Sequence, residues 1–408
     1  MGAQFFVQAQ NNLPFFKGAL KENRDKFYES AIMGIQRNLA MPLDEQHEEN
    51  WINAFNTVNL LKYKTVFVTG RLDYAGKNIY KQSNEFKKAF LELINSDYPG
   101  KYATQIKPVF KNAGDDAKLM AMAANHLLPS ATTADVKTML QKVQQRLKSD
   151  PDNAVLLELN DQLTNWGKQK LMPSLQPFFS KDFLPGQVVV FSFQRENRNF
   201  PGLAIIRKAD GSFIKNADGT YFSVGQLARS QSNMPGYISL GNTPQGIFRM
   251  DGFDTSKSFF IGPTTNIQLT MPFEYKASHF YQDSSLVDSV WSSEQYAKLL
   301  PVGFKSYHPL FGTYYAGKAG RNEIIAHGTT IKPGFYKTAS YYPYTPTAGC
   351  LATREEWNPA NGFLQYSDQL KLTEAIRNAG GAKGYLIVIE INNKKLPVSV
   401  KEIIRFLQ

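Results

Sequence analysis

Arg321-Asn322-Glu323-Ile324-Ile325-Ala326-His327-Gly328-Thr329 and, further on, Pro346-Thr347-Ala348-Gly349-Cys350-Leu351 carry the strongest chemical signal in the chain. The first segment reads as a strand that delivers His327 at its end. The second holds the only cysteine in 408 residues, Cys350. A thiol attacks well only as thiolate, so a catalytic cysteine needs a nearby base or positive field, and His327 is the candidate base. Gly349 permits a sharp turn, and the amides of Gly349 and Cys350 are candidate oxyanion donors. The competing reading is a small buried hydrophobe with a histidine upstream by coincidence.

These segments resemble the L,D-transpeptidase (YkuD-like) catalytic domain, in which a His-Gly-(Thr/Ser) pair precedes Ser-His-Gly-Cys-(Ile/Leu)-Arg. His327-Gly328-Thr329 matches the first, and Thr347-Ala348-Gly349-Cys350-Leu351 is similar to the second. Tyr237 to Phe248, with Gly241-Asn242-Thr243-Pro244-Gln245-Gly246 at its centre, resembles a further landmark of the family, a strand-turn-strand reading Gly-x-Thr-Pro-x-Gly. The likeness covers the C-terminal half. It departs from the pattern at Thr347 (usually Ser), at Ala348 (usually a second His) and at Arg354, which follows the cysteine later than the family's arginine.

The resemblance implies Cys350 as nucleophile, His327 as base with the Gly328 carbonyl holding its tautomer, and substrate contacts among Thr347, Arg354 and the aromatic or histidine side chains of the preceding insert. Within that insert His279, His308 and Tyr314-Tyr315 are the candidates, with Tyr315 and His308 foremost. The reaction implied is acyl transfer at a peptidoglycan tetrapeptide stem through a thioester, without metal or other cofactor. Water in place of the incoming amine makes the same site an L,D-carboxypeptidase. A non-catalytic cell-wall-binding or scaffold protein is the rival of another class, and an unrelated cysteine protease lacks an orienting Asn or Asp signature.

Composition sets the frame. Hydrophobic residues make up 42% and charged residues 20%, the balance of an ordinary folded chain, and the length suggests two or three domains. Forty-six Lys and Arg against 35 Asp and Glu leave a net charge of +11. That favours a polyanionic partner such as a cell-wall polymer, while the absence of a nucleic-acid motif argues against DNA or RNA. No apolar stretch is long enough for a membrane span. Met1 to Gln10 does not read as a signal peptide, and the resemblance implies an exported protein of the periplasm or cell envelope whose export signal is not part of this chain.

The expected fold class is α+β. Residues 1–170 read as helical, with helices expected at Glu48 to Tyr63, Lys77 to Ile94, Asp115 to Leu128, Ala134 to Leu147 and Asn153 to Trp166. They would stack as a HEAT-type solenoid or form an irregular bundle. His47 and His126 read there as a surface and a packed histidine. Residues 171–185, rich in proline and phenylalanine, mark a linker. Residues 186–408 read as a mostly β catalytic domain. Strands are expected at Val188 to Phe193 and Gly202 to Ile206, with a helical turn at Gly225 to Ser230. A lid insert of about 251–318 would contain a short helix at Ser289 to Leu300. A helix at Gln369 to Ala379, a strand at Tyr385 to Ile391 and a closing helix at Ser399 to Leu407 complete it.

Overall fold

The computed structural model describes residues 13–168, 171–286 and 290–407. The reading of Met1 to Gln10 and of Ser289 lies outside them. The architecture is α+β: a helical N-terminal region followed by a mixed sheet. Among the described residues no helix is long and apolar enough to cross a membrane.

The helical region comprises α1 (Lys21–Ala40), α2 (Glu48–Leu61), α3 (Val66–Asn78), α4 (Asn84–Asp97), α5 (Ala103–Lys111), α6 (Ala117–Leu127), α7 (Thr133–Ser149) and α8 (Ala154–Thr164). Local capping sets several starts. Thr132 and Asp135 form a reciprocal capping box on α7, and the side chains of Asp116 and Asn153 cap α6 and α8. The single helix expected from Lys77 to Ile94 is instead two, because Ser83 accepts from the Phe86 amide and begins α4 after a tight turn at Ile79–Lys81. Helix α5 is not among the expected helices, and it holds Pro108 inside it. Burial of Ile106, Val109 and Phe110 outweighs the proline's missing donor.

The sheet has the order β3-β2-β1-β10-β4-β5-β6-β7. Its strands are β1 (Val188–Arg195), β2 (Gly202–Arg207), β3 (Val224–Gln226), β4 (Gly246–Asp254), β5 (Asn266–Thr270), β6 (Ile325–His327), β7 (Leu351–Ala352) and, after a separate β8 (Glu355–Trp357) and β9 (Leu364–Ser367) pair, β10 (Lys383–Asn392). Every residue of β1 is buried, as its unbroken apolar run requires of a strand covered on both faces. Gly225 belongs to β3, paired antiparallel with β2, so the helical turn expected there is a strand.

The stretch 171–185 is not a free tether. Leu175, Phe178, Phe179 and Phe183, around the short helix α9 (Gln176–Phe179), are buried on the sheet face carrying Phe191 and Phe193. The stretch 251–318 supplies β5 and then covers that same face with Phe280, Tyr296 and Phe311, which lie on or beside α10 (Ala277–Tyr281), α11 (Ser293–Ala297) and α12 (Gly312–Lys318), and with Phe304 from the turn Val302–Phe304. The opposite face packs on α13 (Asp368–Ala379) through Leu372, Ala375 and Ile376, and α14 (Val400–Ile404) closes the chain. Met234, Tyr237 and Ile238 from the C-terminal half are buried in the helical core, so the two halves share apolar packing.

Candidate active site

β6 and β7 run parallel with Ala326 opposite Leu351 and His327 opposite Ala352. This register sets Cys350 beside Ile325, two residues from His327 on the same strand, and alternate residues of a strand share a face. Both side chains line one cavity of about 430 Å³, with Thr347, Ala348 and, from helix α2, Asn56 and Leu60.

Burial pushes the His327 imidazole down to about 4, against the opposing pull of its backbone hydrogen bond, so the ring is neutral at pH 7. Nδ1 is paired with the Gly328 carbonyl, which requires the proton on that nitrogen and leaves Nε2 as the basic one. Gly328 is glycine for a reason outside the strand: a Cβ there would lie 2.0 Å from the Glu355 carboxyl carbon. Glu355 accepts from the Thr329 amide at 2.9 Å and the Ser367 hydroxyl at 2.6 Å, and burial pushes its carboxyl up to about 7.

Cys350 keeps partial access while its sulfur is enclosed. Enclosure pushes the thiol up, and the Ile325 amide and the Arg321 cation offset part of that rise. Sγ accepts from the Ile325 amide at 3.4 Å and points its proton at the Glu323 carbonyl at 3.8 Å. Among the described residues no hydrogen bond joins it to His327.

The turn before it is held from three sides. Thr347 Oγ1 donates to the Cys350 carbonyl at 2.9 Å and accepts from the Gly349 amide at 3.0 Å, so that amide, an expected oxyanion donor, is engaged inside the turn. Thr243 Oγ1 donates to the Gly349 carbonyl at 2.9 Å, which joins the Gly241 to Gly246 turn to the cysteine turn. Arg321, buried, donates to the carbonyls of Asn242 at 2.7 Å, Gly241 at 2.6 Å and Gly349 at 3.4 Å, and also to that of Gly236. Burial pulls its guanidinium down to about 10, so it stays a fixed cation below the turn.

No protein-family model, curated protein or solved structure matches this chain. The arrangement therefore stands on its own geometry.

The other expected site residues lie elsewhere. His308 pairs with Glu158 of α8 at 2.7 Å, and its ring lies 5.2 Å from that of Tyr315. His308 lines a separate polar cavity of about 490 Å³ between the two halves. Arg354 is ion-paired with Glu356 and lies over the Tyr366 ring at 4.8 Å, away from the Cys350 cavity. His279 pairs with Asp251 at 2.9 Å. From the expected lid, Ser258, Phe260 and Ile261 do line the Cys350 cavity. Among the described residues no cluster of histidine, cysteine and carboxylates is arranged to hold a metal ion.

Sequence reading missed Arg321, Glu355 and the α2 wall. Arg321 was visible only as the residue opening the strand that ends in His327, and Glu355 only as the first residue of a charged pair after the cysteine. Neither position carries a local pattern that announces a buried role.

Proposed function

We propose that this protein is a cysteine-dependent L,D-transpeptidase of the cell envelope, acting on peptidoglycan stem peptides through a thioester acyl-enzyme. The observation that carries this reading is the shared cavity of Cys350 and His327 on paired strands, with the Thr243 turn fastened to the cysteine turn. A neutral thiol and a neutral imidazole form the resting pair. Rotation of the Cys350 side chain away from Glu323 and Ile325 brings Sγ towards the ring, His327 Nε2 takes the proton, and the sulfur attacks the stem-peptide carbonyl. The tetrahedral adduct collapses as the terminal D-residue leaves with the proton from His327. An incoming amine or water then takes the acyl group and restores the thiol. The Arg321 cation favours the thiolate form of the nucleophile, and the Ile325 amide does so only in the resting orientation.

A second reading, a non-catalytic cell-wall-binding protein, draws on the sulfur's orientation towards Glu323 and on its raised pKa. Mixing the protein with purified tetrapeptide muropeptides and weighing the products separates the readings. Cross-linked dimers support transpeptidation and tripeptides support carboxypeptidase action. An unchanged mixture, or products undiminished in Cys350→Ser, removes the catalytic reading.

A further inference from the structure

The helical half walls the reactive cavity, and it also carries that cavity onward. A second cavity of about 310 Å³ shares Asn56, Gln231 and Ala348 with the one holding Cys350 and His327. It lies between α2 and α4, and the two cavities adjoin at these three residues. They differ in chemistry. Leu60, Phe260, Ile261 and Ile331 make the Cys350 cavity largely apolar, whereas the second cavity holds Glu85, Lys88 and Glu92 of α4.

The charges in the second cavity are unequally satisfied. Lys88 is taken up by Asp116 at 2.7 Å, with Glu85 at 3.7 Å. Glu92, one helical turn further on, makes no hydrogen bond or ion pair among the described residues, although it is half-buried. Lys118 and Lys88 act on Glu92 through space without a direct contact, so a direct ion pair remains for an arriving cation to form. The Glu92 carboxyl responds to the burial by rising to about 7, with Lys118 and Lys88 opposing the rise.

We propose that Glu92 receives the ammonium group of the acceptor strand, so that the helical half selects the amine that resolves the acyl-enzyme. This rests on Cys350 being the acylated residue. The ammonium gives one proton to solvent, and the free amine nitrogen forms the new amide bond as the C–S bond breaks. Its next proton passes through His327 to the departing sulfur. Asn56 and Gln231, where the two cavities adjoin, line the path from Glu92 to the thioester.

The test measures how the acyl-enzyme divides between amine and water. The full chain is acylated with a tetrapeptide donor, thioester formation is read by intact mass, and two nucleophiles are offered at pH 7. One is a muropeptide with a free side-chain ammonium; the other is hydroxylamine, which is small and neutral. In Glu92→Gln the ratio of aminolysis to hydrolysis falls about tenfold for the cationic acceptor, the scale of one charge-assisted contact, and changes little for hydroxylamine. Glu92→Lys, a second variant read the same way, rejects the cationic acceptor more strongly. Ratios unaltered in both variants, or equal losses for both nucleophiles, overturn the role of Glu92 while leaving Cys350 acylation intact. A wild-type chain that never forms the thioester instead removes the acyl-enzyme reading, and this assignment with it.

Discussion

Arg321 lies directly beneath Gly349, with no room between them for a side chain: a Cβ on Gly349 would sit 2.1 Å from Arg321 Nη2 and 2.6 Å from the Gly241 carbonyl. Gly349 also has φ of +126°, a backbone conformation that glycine alone adopts readily. The turn presenting Cys350 is therefore shaped by an arginine that precedes it in the chain and by a second turn from another strand.

Gly349→Ala should lose about 1–3 kcal/mol of stability, combining backbone strain with displacement of a buried guanidinium. Urea unfolding monitored by circular dichroism measures it. A variant as stable as the parent would mean that the turn can open without disturbing Arg321.

Cys350 should react slowly with iodoacetamide at neutral pH. Enclosure raises the thiol above its ordinary value near 9, so the thiolate fraction is small at pH 7 and alkylation should climb roughly tenfold per pH unit up to that value and beyond. Arg321 provides an opposing field, so a folded Arg321→Met variant should shift the rate profile to still higher pH. Rapid, pH-independent labelling between pH 6 and 8 would contradict the enclosed neutral thiol.

Glu355 and His327 should tilt the stability profile in opposite directions. The Glu355 carboxyl, about 7 in the folded chain against an ordinary value of 4.5, holds its proton longer when folded, so its contribution falls as pH rises from 4.5 to 7. His327, about 4 against 6.5, takes up its proton less readily when folded, so its contribution is present above 6.5 and is lost as pH falls towards 4. Each amounts to roughly 3 kcal/mol, and between pH 4.5 and 6.5 they largely cancel. In Glu355→Gln the cancellation is removed, and stability should climb with pH across that interval more steeply than in the parent. Denaturant midpoints taken every half pH unit check this; parallel profiles would mean that Glu355 does not titrate in the window.

Much of the architecture was legible along the chain because its causes are local. The apolar run Val188 to Phe193 reads as a buried strand from composition alone, and the helix expected at Ala134 to Leu147 from its periodicity lies within α7. Where local signals conflicted with packing, packing prevailed. Pro108 sits within a helix because its neighbours are buried, and the proline-rich stretch 171–185 lies on the sheet because its phenylalanines have a face to cover.

The candidate site divides in the same way. Sequence alone singled out a lone cysteine after glycine and a histidine before glycine as a candidate nucleophile and base, on their residue types and on the resemblance of the flanking segments. Only tertiary structure placed both on one cavity, set Arg321 and Glu355 behind the two glycines, and brought α2 and α4 against the adjoining cavities. The reason is physical: whether a charge is buried, and which carbonyl or carboxylate fills the space a Cβ would need, depends on segments distant in the chain, and no local pattern encodes them.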